Sequence, residues 1–233
     1  TDTRKAGETM QNFVIKNPAL WSPEHPALYT ARTTVMTGGS KDTEWNIAKW
    51  RNRFKVTHGS KVQDIVQTRF GIRSIEVRPE QGFFLSGDRT MFKGVCLHHD
   101  LGPLGAAVNK AAIRRQLTIL KDMGCNAIRT SHNMPAPELV ELCEEMGFMM
   151  MVEPFDEWNV AKCENGYHRH WEEWSEKDLV NMLRHYRSSP AVVMWSIGNE
   201  VPGQWDKEGA AQARRLTAIC HREDPTRPVT SGR

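Results

Sequence analysis

The sequence lacks the features that would assign it to a nucleic-acid-binding or membrane protein. Its 31 basic residues are nearly balanced by 28 acidic ones, which leaves a net charge of +3. These charges are scattered and do not form the basic stripe that a nucleic-acid surface needs. No apolar stretch is long enough to span a membrane, and the first ten residues, TDTRKAGETM, lack the apolar segment of a signal peptide. We therefore predict no nucleic-acid partner and no membrane partner, while the compartment, cytoplasm or periplasm, stays open.

Cysteine is also scarce, and its spacing excludes the usual cysteine-based sites. The five cysteines are odd in number and widely separated, and no CxxC pair suggests zinc. Most of them lie inside apolar runs, which favours buried free thiols over a disulfide framework. The residues concerned are Cys96, Cys125, Cys143, Cys163 and Cys220.

What is present is the composition of a soluble globular protein, with a change of character near residue 80. The 233 residues are 39% hydrophobic and 25% charged, enough for one or two domains with a sizeable core. Before residue 80, short runs rich in Thr, Val and aromatic residues alternate with Gly- and Pro-containing turns, at 28–37, 53–59 and 62–77, which is typical of antiparallel β-structure. We predict an antiparallel all-β domain before residue 80 and a second domain after it.

The second domain alternates between helical patterns and short apolar runs. The apolar runs lie at 91–97, 126–130, 148–152, 191–197 and 228–231. The helices are predicted from Asn109 as N-cap to Gly124, at 137–146, from Ser175 in a capping box with Asp178 to the break at 188–190, and at 207–222. Strands too apolar to have a wet face, separated by helices, indicate an α/β fold with a parallel sheet.

Polar residues follow the predicted strands. His98 and His99 follow the first, Ser131 and His132 follow the second with Arg129 near its end, Glu153 follows the third, and Asn199 and Glu200 follow the fourth. In a parallel barrel these ends converge on the active-site mouth, and an open doubly wound sheet would also gather polar groups at its carboxyl edge. The first turn, HHDLGPLG, is no GxGxxG sequence, which speaks against a dinucleotide site.

Each of these residues also has a simpler interpretation. Glu200 could cap the next helix, but that helix begins only after Val201–Gly203, and a carboxylate is costly to bury at a strand end without a function or partners. Adjacent side chains such as His98, His99 and Asp100 point in divergent directions, so no metal site is predicted there. The tryptophans of the loops on this face could be core residues or could stack on sugar rings: Trp158, Trp171, Trp174 and Trp205.

Several ordered motifs closely resemble those of one enzyme family. They are GVCLHHD, NAIRTSHNMP, VEPFDEW, SPAVVMWSIGNE and DPTRPVTSG, preceded by NPALWSPEHPALYT and TRFGIRSIEV. Together they are similar to glycoside hydrolase family 2, the family of β-galactosidases, β-glucuronidases and β-mannosidases, over nearly the whole chain except about 38–61. The resemblance implies the end of an immunoglobulin-like β-sandwich over 1–79, followed by a partial TIM (β/α)8 barrel over 80–233.

The same resemblance implies roles for individual residues. Glu200 is expected to be the general acid/base and Asn199 to bind the sugar next to the bond that is broken. His98, Arg129 and His132 match pocket residues of the family motifs, whereas Cys96 and Leu97 stand where Asn and Arg are usual. Glu157 aligns with a magnesium-binding carboxylate, but Asn159 replaces its histidine partner, so no cofactor is predicted and magnesium is kept as the alternative.

The predicted function is that of a retaining β-glycosidase with a carbohydrate substrate. We expect a β-galactosidase, with β-glucuronidase or another family 2 specificity as the alternative, and a non-catalytic carbohydrate-binding fragment as the alternative of another class. Five predicted strands, against eight in a full barrel of ~250 residues, indicate a piece of a barrel. The resemblance implies that this piece holds the acid without the nucleophile, which in the family follows a later strand. Apolar residues such as Ile219 and Val229 are then expected to be less buried than their type suggests. A homo-oligomer is left open.

Overall fold

The computed structural model of the protein describes residues 2–5, 8–37 and 61–232. The strands are β1 (Asp2–Lys5), β2 (Glu8–Met10), β3 (Tyr29–Thr37), β4 (Lys61–Phe70), β5 (Ile75–Arg78), β6 (Gly82–Leu85), β7 (Asp88–Arg89), β8 (Gly94–Leu97), β9 (Ala127–Thr130), β10 (Met149–Val152), β11 (Val192–Asn199) and β12 (Val229–Gly232). The α-helices are α1 (Lys110–Asp122), α2 (Pro137–Met146), α3 (Trp171–Tyr186) and α4 (Lys207–Glu223), and two short 3-10 helices span Gly102–Leu104 and Tyr167–His170.

A five-stranded parallel sheet organises the second half of the chain. Its order is β12-β11-β10-β9-β8, so that consecutive strands are neighbours. A helix connects each successive pair, which confirms the predicted α/β architecture and its five strands. All residues of β11 are buried except Met194, because a central parallel strand is covered on both faces. The closed eight-stranded barrel is not seen in the described residues.

The two faces of this sheet differ. One face packs against the helices and forms a core with Leu117, Leu142 and Leu183, each fully buried. On the other face, the side chains of one lateral row line a cavity of about 280 Å³. This row consists of Cys96, Arg129, Met151 and Met194, which are register partners across β8, β9, β10 and β11.

The helix boundaries follow local capping chemistry in three cases out of four. Asn109 Oδ1 accepts the N–H of Ala112 at 3.0 Å, and Asp206 Oδ1 accepts the N–H of Gly209 at 2.8 Å. Helix α2 has its predicted bounds and ends at Gly147, whose φ of +73° is the left-handed C-cap geometry.

The predicted start of α3 at Ser175 is wrong. The helix begins at Trp171, directly after the 3-10 turn, and Ser175 lies inside it, 1% exposed, with Oγ accepting Arg215 Nη2 at 2.9 Å. The reason is tertiary packing, since Trp171 is 1% exposed and its ring lies 5.3 Å from that of Phe155. Trp158, 2% exposed, packs beside it.

Burial tests the predictions made for several other residues. Trp174 and Trp205 are exposed, whereas Cys143 and Cys220 are buried. All five cysteines are free, but Cys96 and Cys163 are exposed, so the prediction of buried thiols is wrong for these two. Ile219 is only 4% exposed, which contradicts the expectation of an uncovered side chain, because α4 packs on α3 and β11.

Antiparallel sheets precede the parallel one, as predicted. β1 pairs with β2, β3 with β4, and β5, β6 and β7 form a three-stranded sheet. Two sheets packed into a sandwich are not seen in the described parts of 1–79, and the predicted run at 53–59 lies outside them. The domain boundary after residue 79 stays a prediction, and β5 pairs with β6 across it.

The amino end of β11 is held by a buried ionic network. The Val192 carbonyl accepts Arg73 Nη2 at 2.5 Å and Arg227 Nε at 2.6 Å. Asp224 Oδ2 accepts Trp195 Nε1 at 2.9 Å and Arg227 Nη1 at 2.5 Å. Burial, with the nearby charge of Arg227, lowers the pKa of Arg73 to about 9. This network fixes the strand at the end opposite to the candidate site.

In the part of the chain that the structure describes, no helix combines the length and apolar character needed to cross a bilayer.

Candidate active site

The predicted site residues lie at the carboxyl end of the parallel sheet. Arg129 is in β9, Asn199 is the last residue of β11, and Glu200 follows it. His98 directly follows β8 and His132 lies two residues after the end of β9, and their rings pack edge to face with centroids 5.1 Å apart. The topology thus brings all five to one end of one sheet, because parallel strands share a carboxyl edge.

A buried carboxylate, Glu153, joins several of these residues. It follows β10, is 0% exposed, and accepts hydrogen bonds from Arg129 Nε at 3.2 Å and Nη2 at 2.9 Å. Its other oxygen, Oε1, lies 2.6 Å from His132 Nδ1. Ser196 Oγ in β11 donates to Oε2, the oxygen that also accepts from Arg129 Nε. Its backbone N–H donates to Thr130 Oγ1 at 3.1 Å. A buried charge is tolerated only when it is paired and hydrogen-bonded, and Glu153 meets both conditions.

Asn199 is held on every side. Its Oδ1 accepts Arg129 Nη2 at 2.8 Å, and its Nδ2 donates to Asp156 Oδ1 at 2.9 Å. Its backbone N–H donates to the Phe155 carbonyl at 3.1 Å, and its own carbonyl accepts Lys162 Nζ at 2.6 Å. The side chain therefore has one fixed orientation, with the second hydrogen of Nδ2 left for a ligand.

Gly232, at the end of β12, allows Arg129 to reach Asn199. A Cβ built at this position would overlap Arg129 Nη2 and would lie 3.2 Å from Asn199 Oδ1. A side chain here would displace the guanidinium, so the glycine is required by the close approach of the two groups.

The charges of the site are mutually stabilised. Burial acts to lower the pKa of Arg129, but hydrogen bonding to Glu153 and its negative charge outweigh burial, so the pKa is raised. Burial acts to raise the pKa of Asp156, but its hydrogen bonds to Lys162 and Asn199 prevail and lower it. Both groups are therefore ionised at neutral pH.

Glu200 is presented differently from the others. Its φ is +43°, its backbone N–H donates to the Gly232 carbonyl at 3.1 Å, and its side chain is exposed. Within residues 61–232 the side chain has no hydrogen-bond or ion-pair partner. The sequence argument that a carboxylate here is buried is wrong, but the carboxylate does lie at the end of β11, before the turn that leads to α4.

The described residues do not fit a magnesium ion at Glu157. Its Oε2 accepts the N–H of Lys162 at 2.7 Å, and its Oε1 accepts the N–H of His168 at 2.7 Å and lies 2.9 Å from His168 Nδ1. Burial acts to raise the pKa of Glu157, but the two backbone N–H groups lower it. Hydrogen-bond donors thus occupy both oxygens, and no group of three His, Cys, Asp or Glu in the described ranges is placed to hold a metal ion.

Four residues of the site have no predicted role: Glu153, Asp156, Lys162 and Ser196. The signal for Glu153 is present, since a charged residue follows the apolar run FMMMV. Lys162 carries no such signal, because it lies ten residues beyond the end of β10 in a loop whose path the sequence does not reveal.

Comparisons with known proteins identify the family of this chain. The family model for the TIM barrel domain of glycosyl hydrolases family 2 matches residues 75–232, and a second family 2 model matches residues 1–45. The β-galactosidase BoGH2A of Bacteroides ovatus is 39% identical over 99% of this chain and 29% of its own length. A putative β-glucuronidase of Formosa agariphila is 36% identical over 94% of this chain and 18% of its own length.

A solved β-glycosidase structure is also similar to this chain. The crystal structure of a β-glycosidase from Bacteroides vulgatus superposes with a TM-score of 0.80 and 38% identity, covering 94% of this chain and 25% of that one. The chain thus spans about a quarter of the length of these relatives. With a barrel-domain model matched over most of its residues, the chain belongs to glycoside hydrolase family 2.

Proposed function

We propose that the full-length natural protein that carries this sequence is a retaining β-glycosidase, with Glu200 as its general acid/base. One observation supports this most directly: the Asn199–Glu200 pair lies at the carboxyl end of β11, beside the Arg129–Glu153–His132 cluster, in a chain of this family. The exposed Glu200 carboxyl is accessible to a glycosidic oxygen, whereas the other nearby carboxylates already have partners.

The reaction needs two carboxyl groups about 5–5.5 Å apart, one to protonate the leaving oxygen and one to attack the anomeric carbon. Glu153 is a poor nucleophile because it is fully buried and bound by Arg129 and His132. We therefore propose that the nucleophile is supplied from outside the described residues. Asn199 and His98 are proposed to contact the sugar, while Arg129 and His132 also order the site.

For the substrate we propose a β-galactoside, since the Bacteroides ovatus relative is a β-galactosidase. The alternative, a β-glucuronide, is supported by the putative β-glucuronidase of Formosa agariphila. The kcat/KM values for 4-nitrophenyl β-galactoside and β-glucuronide distinguish the two. A larger value for the glucuronide would refute the first proposal.

The acid/base role is tested with Glu200→Gln in the full-length protein. The variant keeps the shape of the side chain but removes the transferable proton, so hydrolysis of alkyl glycosides should fall by roughly 10²–10⁴-fold. Activated aryl glycosides should lose less in the first step, because their leaving group needs little protonation. Their glycosyl-enzyme intermediate should accumulate, and azide should release it as glycosyl azide.

Asn199→Ala is the matched control, since it should weaken both substrate classes alike. Equal losses for Glu200→Gln on good and poor leaving groups, with no azide product, would remove Glu200 from the acid/base role.

A further inference from the structure

We propose that Lys162 is a positioning residue that holds the Asn199–Glu200 peptide group and thereby orients Glu200. Lys162 lies in the loop between β10 and the 3-10 turn at Tyr167–His170. Its Nζ donates to the Asn199 carbonyl at 2.6 Å and to Asp156 Oδ1 at 2.9 Å. The inference rests on the proposed role of Glu200 as acid/base.

The Asn199–Glu200 peptide group is held at both of its polar ends. Its carbonyl accepts from Lys162, and its N–H donates to the Gly232 carbonyl of β12 at 3.1 Å. Because a peptide unit is planar, fixing the oxygen and the nitrogen from two different elements fixes the plane. The position of the Glu200 Cα, which lies in that plane, is then fixed as well, and the φ of Glu200 sets the direction of its side chain from there.

Among residues 61–232, Glu200 is held through its backbone and not through its side chain. Its φ of +43° is uncommon for a residue other than Gly, Asn or Asp, and such a conformation persists where its surroundings determine it. Its side chain has no hydrogen-bond or ion-pair partner among residues 61–232, so no polar contact in that range sets the position of the carboxylate. The backbone contacts alone define where the carboxyl group starts.

Lys162 makes more contacts than the single contact of an ordinary surface ion pair. Asp156 Oδ1, which accepts from Lys162, also accepts Asn199 Nδ2 at 2.9 Å, so the three residues form a closed ring. The ring joins the backbone of Asn199 to its side chain. The Lys162 side chain is only 24% exposed, and its backbone N–H is anchored by Glu157 Oε2 at 2.7 Å.

The test compares Lys162→Met and Lys162→Arg in the full-length natural protein. In Lys162→Met, kcat on alkyl glycosides should fall by about 10–100-fold, as for an ångström-scale misplacement of a catalytic group. The rate constant of the first step on activated aryl glycosides should fall less, and KM should change little. Lys162→Arg keeps a cationic donor and should restore most of the activity.

Coupling to Glu200 is the readout that a merely structural role would not give. If Lys162 acts through Glu200, Lys162→Met should lower the rate by less than about twofold in a Glu200→Gln background, since residues that act as a unit are not additive. Lys110→Met is the matched control, because Lys110 also pairs with a carboxylate, Glu141 at 2.7 Å, away from the site. It should leave both substrate classes unchanged.

The outcomes separate the two proposals. Three results would overturn the positioning role of Lys162: losses that add in the Lys162→Met/Glu200→Gln double variant, equal losses on alkyl and aryl glycosides, or full activity of Lys162→Met. None of them would change the expected difference between alkyl and aryl glycosides in Glu200→Gln. If Glu200→Gln itself lost equal activity on alkyl and aryl glycosides, the acid/base role of Glu200 would be overturned, and the positioning role of Lys162 with it. If Lys162→Met does not give folded protein by near-ultraviolet circular dichroism, Lys162→Gln, too short to reach the carbonyl, makes the same comparison.

Discussion

Glu153 is the residue whose substitution should reveal most about the site. Glu153→Gln keeps the volume of the side chain but removes its charge and turns one acceptor oxygen into a donor. In the unsubstituted protein, Arg129, His132 and Ser196 all direct hydrogens at the Glu153 carboxylate. The amide NH₂ of the introduced glutamine would have to face one of these donors. The substitution therefore leaves Arg129, 23% exposed, without its ionic partner in a partly buried position.

The expected cost follows from this burial. Removing one partner of a buried ion pair lowers the free energy of unfolding by about 3–5 kcal/mol. A whole domain is stable by only about 5–15 kcal/mol, so the loss is a large fraction. Glu141→Gln is the control, because Glu141 and Lys110 are each nearly half exposed and such pairs contribute about 0–1 kcal/mol.

Urea unfolding followed by tryptophan fluorescence measures the effect, since Trp158, Trp171 and Trp195 are buried around this sheet. Glu153→Gln should unfold at a clearly lower urea concentration than Glu141→Gln. The double substitution Arg129→Met/Glu153→Met should recover much of the loss, because apolar pairs often replace buried ion pairs without cost. If Glu153→Gln were as stable as the unsubstituted protein, the carboxylate would not hold the cluster together.

Two further predictions concern the opposite end of β11 and the end of β12. Burial acts to raise the pKa of Asp224, but Arg227, Thr226 and Trp195 lower this pKa below its ordinary 3.8. The ionised Asp224 therefore stabilises the fold above pH 3.8, and this stabilisation is lost as the pH falls through the lowered pKa. Asp224→Asn should therefore flatten the fall in unfolding free energy between about pH 5 and pH 2, measured by urea titration at each pH; an unchanged slope would contradict this. Gly232→Ala should displace Arg129 and lower kcat/KM by about 10²-fold. Glu141→Gln, away from the site, is the comparison and should leave kcat/KM unchanged; an unchanged kcat/KM for Gly232→Ala would show that Arg129 does not depend on this glycine.

Much of the parallel sheet could be predicted because its signals are local. The run AVVMWSI is too apolar to have a wet face, and β11 is indeed buried along nearly its whole length. Asn109 and Gly147 are capping residues that act within a few positions of themselves, and the helices begin or end beside them. The carboxyl-end placement of Arg129 and Asn199 then follows from the parallel order alone.

The remaining features depend on contacts between distant parts of the chain. Ser175 has the sequence of a helix cap, but packing of Trp171 on Phe155 extends α3 by four residues. Lys162 reaches Asn199 across 37 positions, and nothing in its neighbourhood in the sequence indicates that partner. Glu200 is exposed and has a backbone φ of +43°, and a strand-end pattern reveals neither feature.

The shared carboxylate of Glu153 has a consequence for how the sheet selects its alignment. Arg129 in β9, Glu153 after β10 and Ser196 in β11 meet only when these three strands are paired as observed. A slip of one residue in either pairing would turn the arginine or the serine to the other face and leave a bare charge in the interior. Apolar strands such as MMMV and VVMWSI tolerate many alignments, since one aliphatic side chain replaces another at little cost. The polar cluster of the site therefore discriminates among alignments that the core accepts, so the residues that order the candidate site also exclude misregistered folds.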